Sequence, residues 1–268
     1  MKAGEVVKGS ATAVVTGGSR GIGLCYAERL AALGYNIVIA SFHAAANEKT
    51  AAELHDKYGI TVHTLEIDLA RESAAQELFD YTHDEGLVVK VLINNAGTFS
   101  FLDTLNTPLE RIRRMLFLHV STTTLTCRLF GEEMAQHGGG YILNMASYSL
   151  WMPWPGLALY SASKAYIRSF SIAFSKEMRE RQVRVTSVCP AGVATDLYGL
   201  PDRWQRIGIR LGILLTPDSC ARRALKALWR GHQNCVPGWW NRLFIPLCIT
   251  MPAFLLRIAR KYTMKFQR

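Results

Sequence analysis

Six short runs of β-branched and aliphatic residues recur along the first 190 positions, separated by stretches whose apolar residues fall at helical spacing. This alternation constrains the fold more than any other feature of the chain. The runs are residues 12–16, 36–41, 61–67, 91–94, 141–146 and 183–188; the helical stretches are 21–33, 47–57, 71–82, 108–135 and 158–180. Several runs are apolar at every position instead of every second one. A strand of that kind is buried on both faces, as in a parallel sheet covered by crossover helices. The expected class is α/β, with a doubly wound parallel sheet as the middle of three layers.

No linker, repeat or low-complexity block interrupts the chain before about residue 230, and 268 residues suit one large α/β unit. Beyond that point tryptophans, prolines and bulky apolar residues mix with arginines. Residues 1–235 are therefore expected to form the folded domain, and residues 236–268 an apolar, basic extension of it. Hydrophobic residues at 49% and charged residues at 19% exclude global disorder. The net charge of +10 suits an anionic ligand or surface, such as nucleotide phosphates, anionic lipid or nucleic acid, or simply a basic soluble protein. Six scattered cysteines form no C-x-x-C pair and no Cys/His cluster at zinc spacing, so a reduced cytosolic interior and no metal are expected. Residues 1–10 lack the apolar core of a signal peptide, and no targeting signal is visible.

The first run leads directly into Thr16-Gly17-Gly18-Ser19-Arg20-Gly21-Ile22-Gly23, which opens the first helical stretch. Glycines here permit a tight turn and let backbone approach a pyrophosphate lying at the helix N-terminus, as in the Rossmann fold. A Gly-rich turn alone is weak support, but its strand–turn–helix context is the required one. An NAD binder would place an acid about 20 residues onward to meet the ribose 2′-hydroxyl. That place holds Ser41-Phe42-His43, with no acid before Glu48. Arg20 suits a 2′-phosphate through charge-assisted hydrogen bonds, with Ser41 as a further donor. NADP(H) is thus favoured over NAD(H); the bland alternative for Arg20 is a solvated surface charge.

Further motifs follow in order: Asp68-Leu69, Asn94-Asn95-Ala96-Gly97, Ser147, Tyr160-x-x-x-Lys164, and Pro190 through Thr195. Ser147 precedes Tyr160 by thirteen residues. With this set, residues 11–197 closely resemble the short-chain dehydrogenase/reductase family. The resemblance implies hydride transfer to or from a nicotinamide, with Ser147, Tyr160 and Lys164 catalytic. Tyr160 and Lys164, four apart, share one helix face. A nearby ammonium would favour the phenolate and bring a group of reference pKa about 10 nearer to neutral pH. Ser147 would hydrogen-bond the substrate oxygen. Without these neighbours, Tyr160 would be read as a packed aromatic.

By the same resemblance, Gly17, Ser19, Gly21, Ile22 and Gly23 line the cofactor. Lys164 holds the nicotinamide ribose, Asp68 with Leu69 borders the adenine, and Asn95, Ala96 and Gly97 run alongside. Pro190, the Val193 backbone and Thr195 meet the carboxamide end. Asp68 has a second reading as a helix cap. Two positions depart from the family pattern. His119 stands where an asparagine usually supports a water-mediated proton relay. An imidazole there could hold a water or carry a proton, or be a satisfied helix histidine. Pro190-Ala191-Gly192 replaces the usual Pro-Gly.

Trp151 and Trp154, with the apolar residues between Ser147 and Tyr160, border the expected substrate pocket, and Tyr198 and Trp204 belong to its lid. Such a lining suits a ketosteroid, 3-ketoacyl or 3-ketosphingoid substrate; core or subunit packing is the alternative. After Trp239-Trp240 come fourteen uncharged residues, 243–256, broken by Pro246 and Pro252 and followed by five cations. That is short of the roughly 20 residues a spanning helix needs. The tail fits contact with an anionic membrane surface, a hydrophobic lid, or docking on its own domain or a partner subunit. It carries no nucleic-acid recognition motif. The expected protein is a cytoplasmic reductase at or near the inner membrane surface, as a homodimer or homotetramer. An NAD(P)-dependent alcohol or hydroxysteroid dehydrogenase and a non-catalytic dinucleotide sensor or scaffold are the alternatives.

Overall fold

A computed structural model of the chain describes residues 4, 6–152, 154–195 and 201–252. Seven parallel strands form one sheet: β1 (Thr12–Thr16), β2 (Asn36–Ser41), β3 (Val62–Glu66), β4 (Val89–Asn94), β5 (Gly140–Met145), β6 (Val183–Val188) and β7 (Asn234–Cys235). They lie in the order β3-β2-β1-β4-β5-β6-β7. Because β1 pairs with both β2 and β4, the order reverses there and opens a crevice above the strand ends.

Strand side chains alternate between the two faces. Ala13, Val15, Ile37, Ile39, Val91 and Ile93 enter one core layer with Tyr26 and Leu30 of α1 (Gly21–Ala31). Leu225 and Leu228 of α8 (Pro217–Trp229) close that layer. On the other face Val14, Val38, Leu92 and Ile142 meet Leu78 of α3 (Ala74–Asp84) and Phe130 and Met134 of α5 (Thr123–Gln136). α2 (Ala44–Tyr58) packs on β2 and β3, and α6 (Ala158–Glu177) on β6. Each fully buried Leu, Ile or Phe contributes about 1.5–3 kcal/mol from desolvation, which is why both strand faces are mostly apolar.

The stretch 108–135, expected as one helix, is not one. α4 (Leu109–Leu116) passes through a π-helical segment, Phe117–Thr122, before α5 begins. The residues there weaken a regular ladder, since hydroxyls bond back to main-chain carbonyls. Thr124 Oγ1 donates to Val120 O at 2.7 Å and Thr126 Oγ1 to Thr122 O at 2.8 Å. The widened turn houses the fully buried His119 ring. Four helices and a strand beyond residue 190 were not anticipated: α7 (Asp202–Arg210), α8, α9 (Trp239–Leu243), α10 (Ile245–Ile249) and β7. α8 nevertheless announces itself, with Pro217 in its first turn and Thr216 Oγ1 accepting Ser219 N–H at 3.1 Å.

Residues 236–252 lie against the domain. Ile245 and Cys248 pack beside Tyr148, Ile167 and Val236, and Tyr148 Oη donates to Asn241 O at 2.8 Å. The remainder of the tail, residues 253–268, lies outside the described residues, as does Tyr198. None of the six cysteines is in a disulfide.

Candidate active site

The crevice is pinned where β1 and β4 end. Thr16 Oγ1 accepts the N–H groups of Asn95 and Ala96 at 2.9 and 3.0 Å and donates to Ile93 O at 3.2 Å. Asn95 Nδ2 reaches Thr16 O and Gly17 O at 3.0 and 3.3 Å. Gly17 sits at φ 64°, and a Cβ on Gly23 would fall 2.0 Å from the Gly17 carbonyl oxygen. Only glycine allows the turn to fold so closely onto the helix start. Arg20 caps α1 with extended backbone and no side-chain cap bond, so the first helical N–H groups face the crevice without a capping side chain. From the other side, Thr195 Cγ2 comes within 3.6 Å of a Cβ built on Gly21. This cradle fits an anionic pyrophosphate.

At the end of β2, Arg20 Nη2 pairs with His43 Nε2 at 3.0 Å on the exposed rim. His43 was not singled out from the sequence as a site residue, although it stands in the very place searched for an acid. Ser41 does not act as a ready donor to a phosphate. Its hydroxyl donates to Asn47 Oδ1 at 2.5 Å and lies 3.3 Å from Ser19 Oγ. Asp68 is bound bidentately by Arg114, at 2.9 and 3.1 Å, and accepts Ala70 N–H at 3.0 Å. Desolvation works against it, but these bonds hold its carboxyl below the usual range. The cap of α3 is Ser73, so the helix-cap reading of Asp68 does not hold. Leu69 O is fixed by Thr122 Oγ1 at 2.8 Å.

The side chains at the opposite end are buried. Lys164 is buried on α6, with Nζ donating to Met145 O at 2.9 Å, and burial pushes its ammonium down to about 7. One turn earlier Tyr160 is also buried; its ring meets Phe99 edge-to-face at 5.0 Å and His119 at 5.9 Å. Lys164 Nζ lies 5.8 Å from the Tyr160 ring centre. Ser147 leaves β5 in extended backbone, and its Oγ accepts Ser149 N–H at 3.2 Å. Its own hydroxyl hydrogen is left for another acceptor.

His119 is occupied at both nitrogens. Ser163 Oγ donates to Tyr160 O at 2.7 Å, so it accepts from His119 Nδ1–H at 2.9 Å. Nε2 then accepts Thr98 N–H at 3.1 Å. Burial, then Lys164, drives its pKa well below the usual histidine range, so the ring is neutral. No ring nitrogen remains to hold a water. Gly97 completes the junction, since a Cβ there would lie 3.1 Å from His119 Nε2 and 3.4 Å from Lys164 Nζ. α6 is anchored from below by a buried polar network. Asn144 Nδ2 donates to Ser171 Oγ and Asn94 Nδ2 to Asn144 Oδ1, each at 2.9 Å.

Of the aromatic residues expected at the pocket, Trp154 packs with Phe99, Phe101, Met115 and Leu157 around Tyr160. Its Nε1 is buried with no hydrogen-bond partner among the described residues. Trp151 belongs to the neighbouring cluster, stacked edge-to-face on Tyr148 at 5.4 Å beneath Arg168. Trp204 is half-exposed on α7 under Arg203, outside the side chains gathered around Tyr160. At the shifted glycine after β6, a Cβ on Gly192 would lie 2.4 Å from Leu214 Cδ2, the end of a flexible side chain. Pro190 O holds Tyr148 N–H at 2.9 Å, and Val193 bridges to Leu215.

The short chain dehydrogenase family model matches residues 11–205. A very-long-chain 3-oxoacyl-CoA reductase of Bos taurus is 33% identical over 252 residues, covering 91% of this chain and 76% of that protein. A 17-beta-hydroxysteroid dehydrogenase type 3 of Mus musculus is 29% identical, covering 83% of this chain and 70% of its own. Among solved structures, a short-chain dehydrogenase from Sphingobium yanoikuyae in complex with NADPH superposes with a TM-score of 0.76 at 27% identity, over 96% of each chain.

Proposed function

The chain belongs to the short-chain dehydrogenase family and is an NAD(P)-dependent oxidoreductase, and from that premise we propose that it uses NADPH to reduce the carbonyl of a hydrophobic substrate. One observation carries this reading: Tyr160 and the buried Lys164 stand at the strand ends inside an apolar wall of Phe99, Phe101, Met115 and Trp154. The relatives named for very-long-chain 3-oxoacyl-CoA and for 17-beta-hydroxysteroid support a long aliphatic or steroid ketone over a sugar.

The residues present fit a dinucleotide. Gly17, Gly21, Ile22 and Gly23 with the start of α1 would hold the pyrophosphate. Arg20, with His43 beside it, would hold a 2′-phosphate, and no acid is there to repel it. Asn95, Ala96, Gly97, Pro190, Val193 and Thr195 would border the nicotinamide half, and Leu69 the adenine. When bound, the cofactor supplies the hydride. The chain's own groups do the rest. Ser147 directs its free hydroxyl hydrogen to the substrate oxygen, and Tyr160 gives that oxygen its proton. Lys164, whose ammonium titrates near neutrality, favours the tyrosinate left behind. His119 is a positioning residue: it ties the Gly97–Thr98 backbone to the α6 turn carrying Tyr160.

A second reading, oxidation of a hydroxysteroid, is favoured by the 17-beta-hydroxysteroid dehydrogenase relative. Residues 236–268 belong to the same functional unit as residues 1–235, placed at the cytoplasmic membrane surface through the tail, in a homodimer or homotetramer. The decisive test is NADPH consumption over 3-ketoacyl thioesters of increasing length, 3-ketosphinganine and ketosteroids, with the reverse reaction on the matching alcohols. Turnover that rises with substrate hydrophobicity is expected. Preference for short polar ketones, or for NADH, would overturn the reading.

A further inference from the structure

The net positive charge of this chain comes from one part of it. Residues 201–268 carry thirteen lysines and arginines against two aspartates, whereas residues 1–200 carry eighteen against nineteen acids. Of the seventeen exposed large apolar side chains among the described residues, nine lie in the cationic part. On α7, at about 100° per residue, Arg203, Arg206 and Arg210 form one stripe, and Trp204, Ile207 and Leu211 form another immediately beside it. On α9 and α10, Trp240, Leu243, Phe244, Leu247 and Ile249 face outward with Arg242. These eight apolar side chains are between 45% and 66% exposed. None of the four arginines forms an ion pair among the described residues.

Both elements hang on the segment that leaves β6. α10 packs Ile245 and Cys248 against the cluster that holds Cys189, as does Ala191, and α7 rests Gly208 on Leu214, which in turn covers Gly192. α9–α10 also clasps the turn after Ser147, through the bond from Tyr148 to Asn241 O. The two faces thus flank one rim of the active-site crevice. A solvated protein surface rarely keeps this much apolar area exposed without a partner. Cations set beside bulky apolar residues and tryptophan match an anionic lipid headgroup layer, with the apolar side chains below it. No helix among the described residues is long and apolar enough to cross a membrane, so contact would be with its surface.

We propose that α7 and α9–α10 together form a docking face for an anionic phospholipid bilayer, which sets the rim of the site against the lipid. This goes beyond a contact made by the tail, because α7 (Asp202–Arg210) ends well before the tail begins at residue 236. It rests on the proposed function only for its purpose, the capture of a lipid-soluble ketone; binding itself needs no substrate.

The test is sedimentation of the full-length protein with vesicles of phosphatidylcholine alone or mixed with phosphatidylglycerol, at low and high salt. Binding is expected only to the mixed vesicles, and roughly tenfold weaker at high salt, because surface charges are screened. The pairs Ile207→Glu with Leu211→Glu, and Leu243→Glu with Leu247→Glu, should each weaken binding by about tenfold or more. NADPH binding, followed by fluorescence, serves as the folding control and should survive in both. Absence of vesicle binding at both salts overturns the proposal. Loss with only one pair reduces the face to a single patch and also overturns it. So does light scattering that shows an oligomer dissociated by either pair, which would make these faces a subunit interface. Turnover of a water-soluble ketone, measured without vesicles, tells failure of docking from failure of the catalytic reading.

Discussion

The two ends of the proposed dinucleotide site are built on opposite electrostatic principles. At the ribose-phosphate end, Arg20 and His43 sit on an exposed rim, where water screens every charge. At the nicotinamide end, Lys164, His119 and Tyr160 are buried, and desolvation governs the ionisation of Lys164 and His119. The first arrangement selects a ligand by charge; the second sets by burial how a few groups ionise and holds them in fixed directions. Substitutions should therefore behave differently at the two ends.

The largest effect is expected at the buried end. Tyr160→Phe removes one hydroxyl and leaves the packing, so turnover should fall by roughly two orders of magnitude or more with NADPH affinity little changed. A variant keeping most of its kcat on a good substrate would refute the assignment. At the exposed end, Arg20→Ala should weaken NADPH by roughly tenfold, the low side of a charged hydrogen bond, and weaken NADH much less. Titrations with both cofactors at two ionic strengths decide it, and equal losses would remove Arg20 from the phosphate.

His119→Ala sharpens the contrast from inside. If the ring only positions its neighbours, kcat should drop by about tenfold while the pH profile of kcat/KM keeps its shape. Loss of a limb near pH 6.5 would instead make His119 a proton carrier. The smallest effect concerns stability. Lys164 has a folded pKa near 7, below its unfolded value of 10.5, so between these the unfolded chain holds a proton that the folded one lacks. Stability from this group must rise with pH above 7, by up to about 1.4 kcal/mol per pH unit, and be flat below it. Urea unfolding of the wild type and of Lys164→Met between pH 7 and 9 should show that slope in their difference. A difference independent of pH would mean that Lys164 is not neutralised by burial.

The same contrast explains what could be read in the sequence. The strands were legible because burial on both faces favours apolar residues at consecutive positions, as in Ile37, Val38 and Ile39. Ser147, Tyr160 and Lys164 were legible because their chemistry demands those residue types at those intervals. The state of His119 was not, since it depends on Thr98 and Ser163, 21 and 44 residues away. Ser41 looked like a donor for a phosphate, but its hydroxyl already donates to Asn47, six residues on. β7 is two residues long and shows no periodicity at all. The aromatic residues chosen for the pocket scattered, because apolar character alone does not say which surface a side chain faces: Trp154 packs at Tyr160, while Trp204 lies outside.

The wide turn between α4 and α5 also sets the phase of the helix. An α-helix advances about 100° per residue, so the extra residue that a π turn absorbs offsets everything before it from everything after it by roughly that angle. Met115 on one side, and Cys127, Phe130 and Met134 on the other, are all buried with this offset in place. Deleting Val120 would straighten the ladder, yet it would swing one of those faces out of the core. A change that repairs the local hydrogen bonding would thus unseat the packing on both sides of it, and a lineage holding this insertion could lose it only by repacking two layers at once.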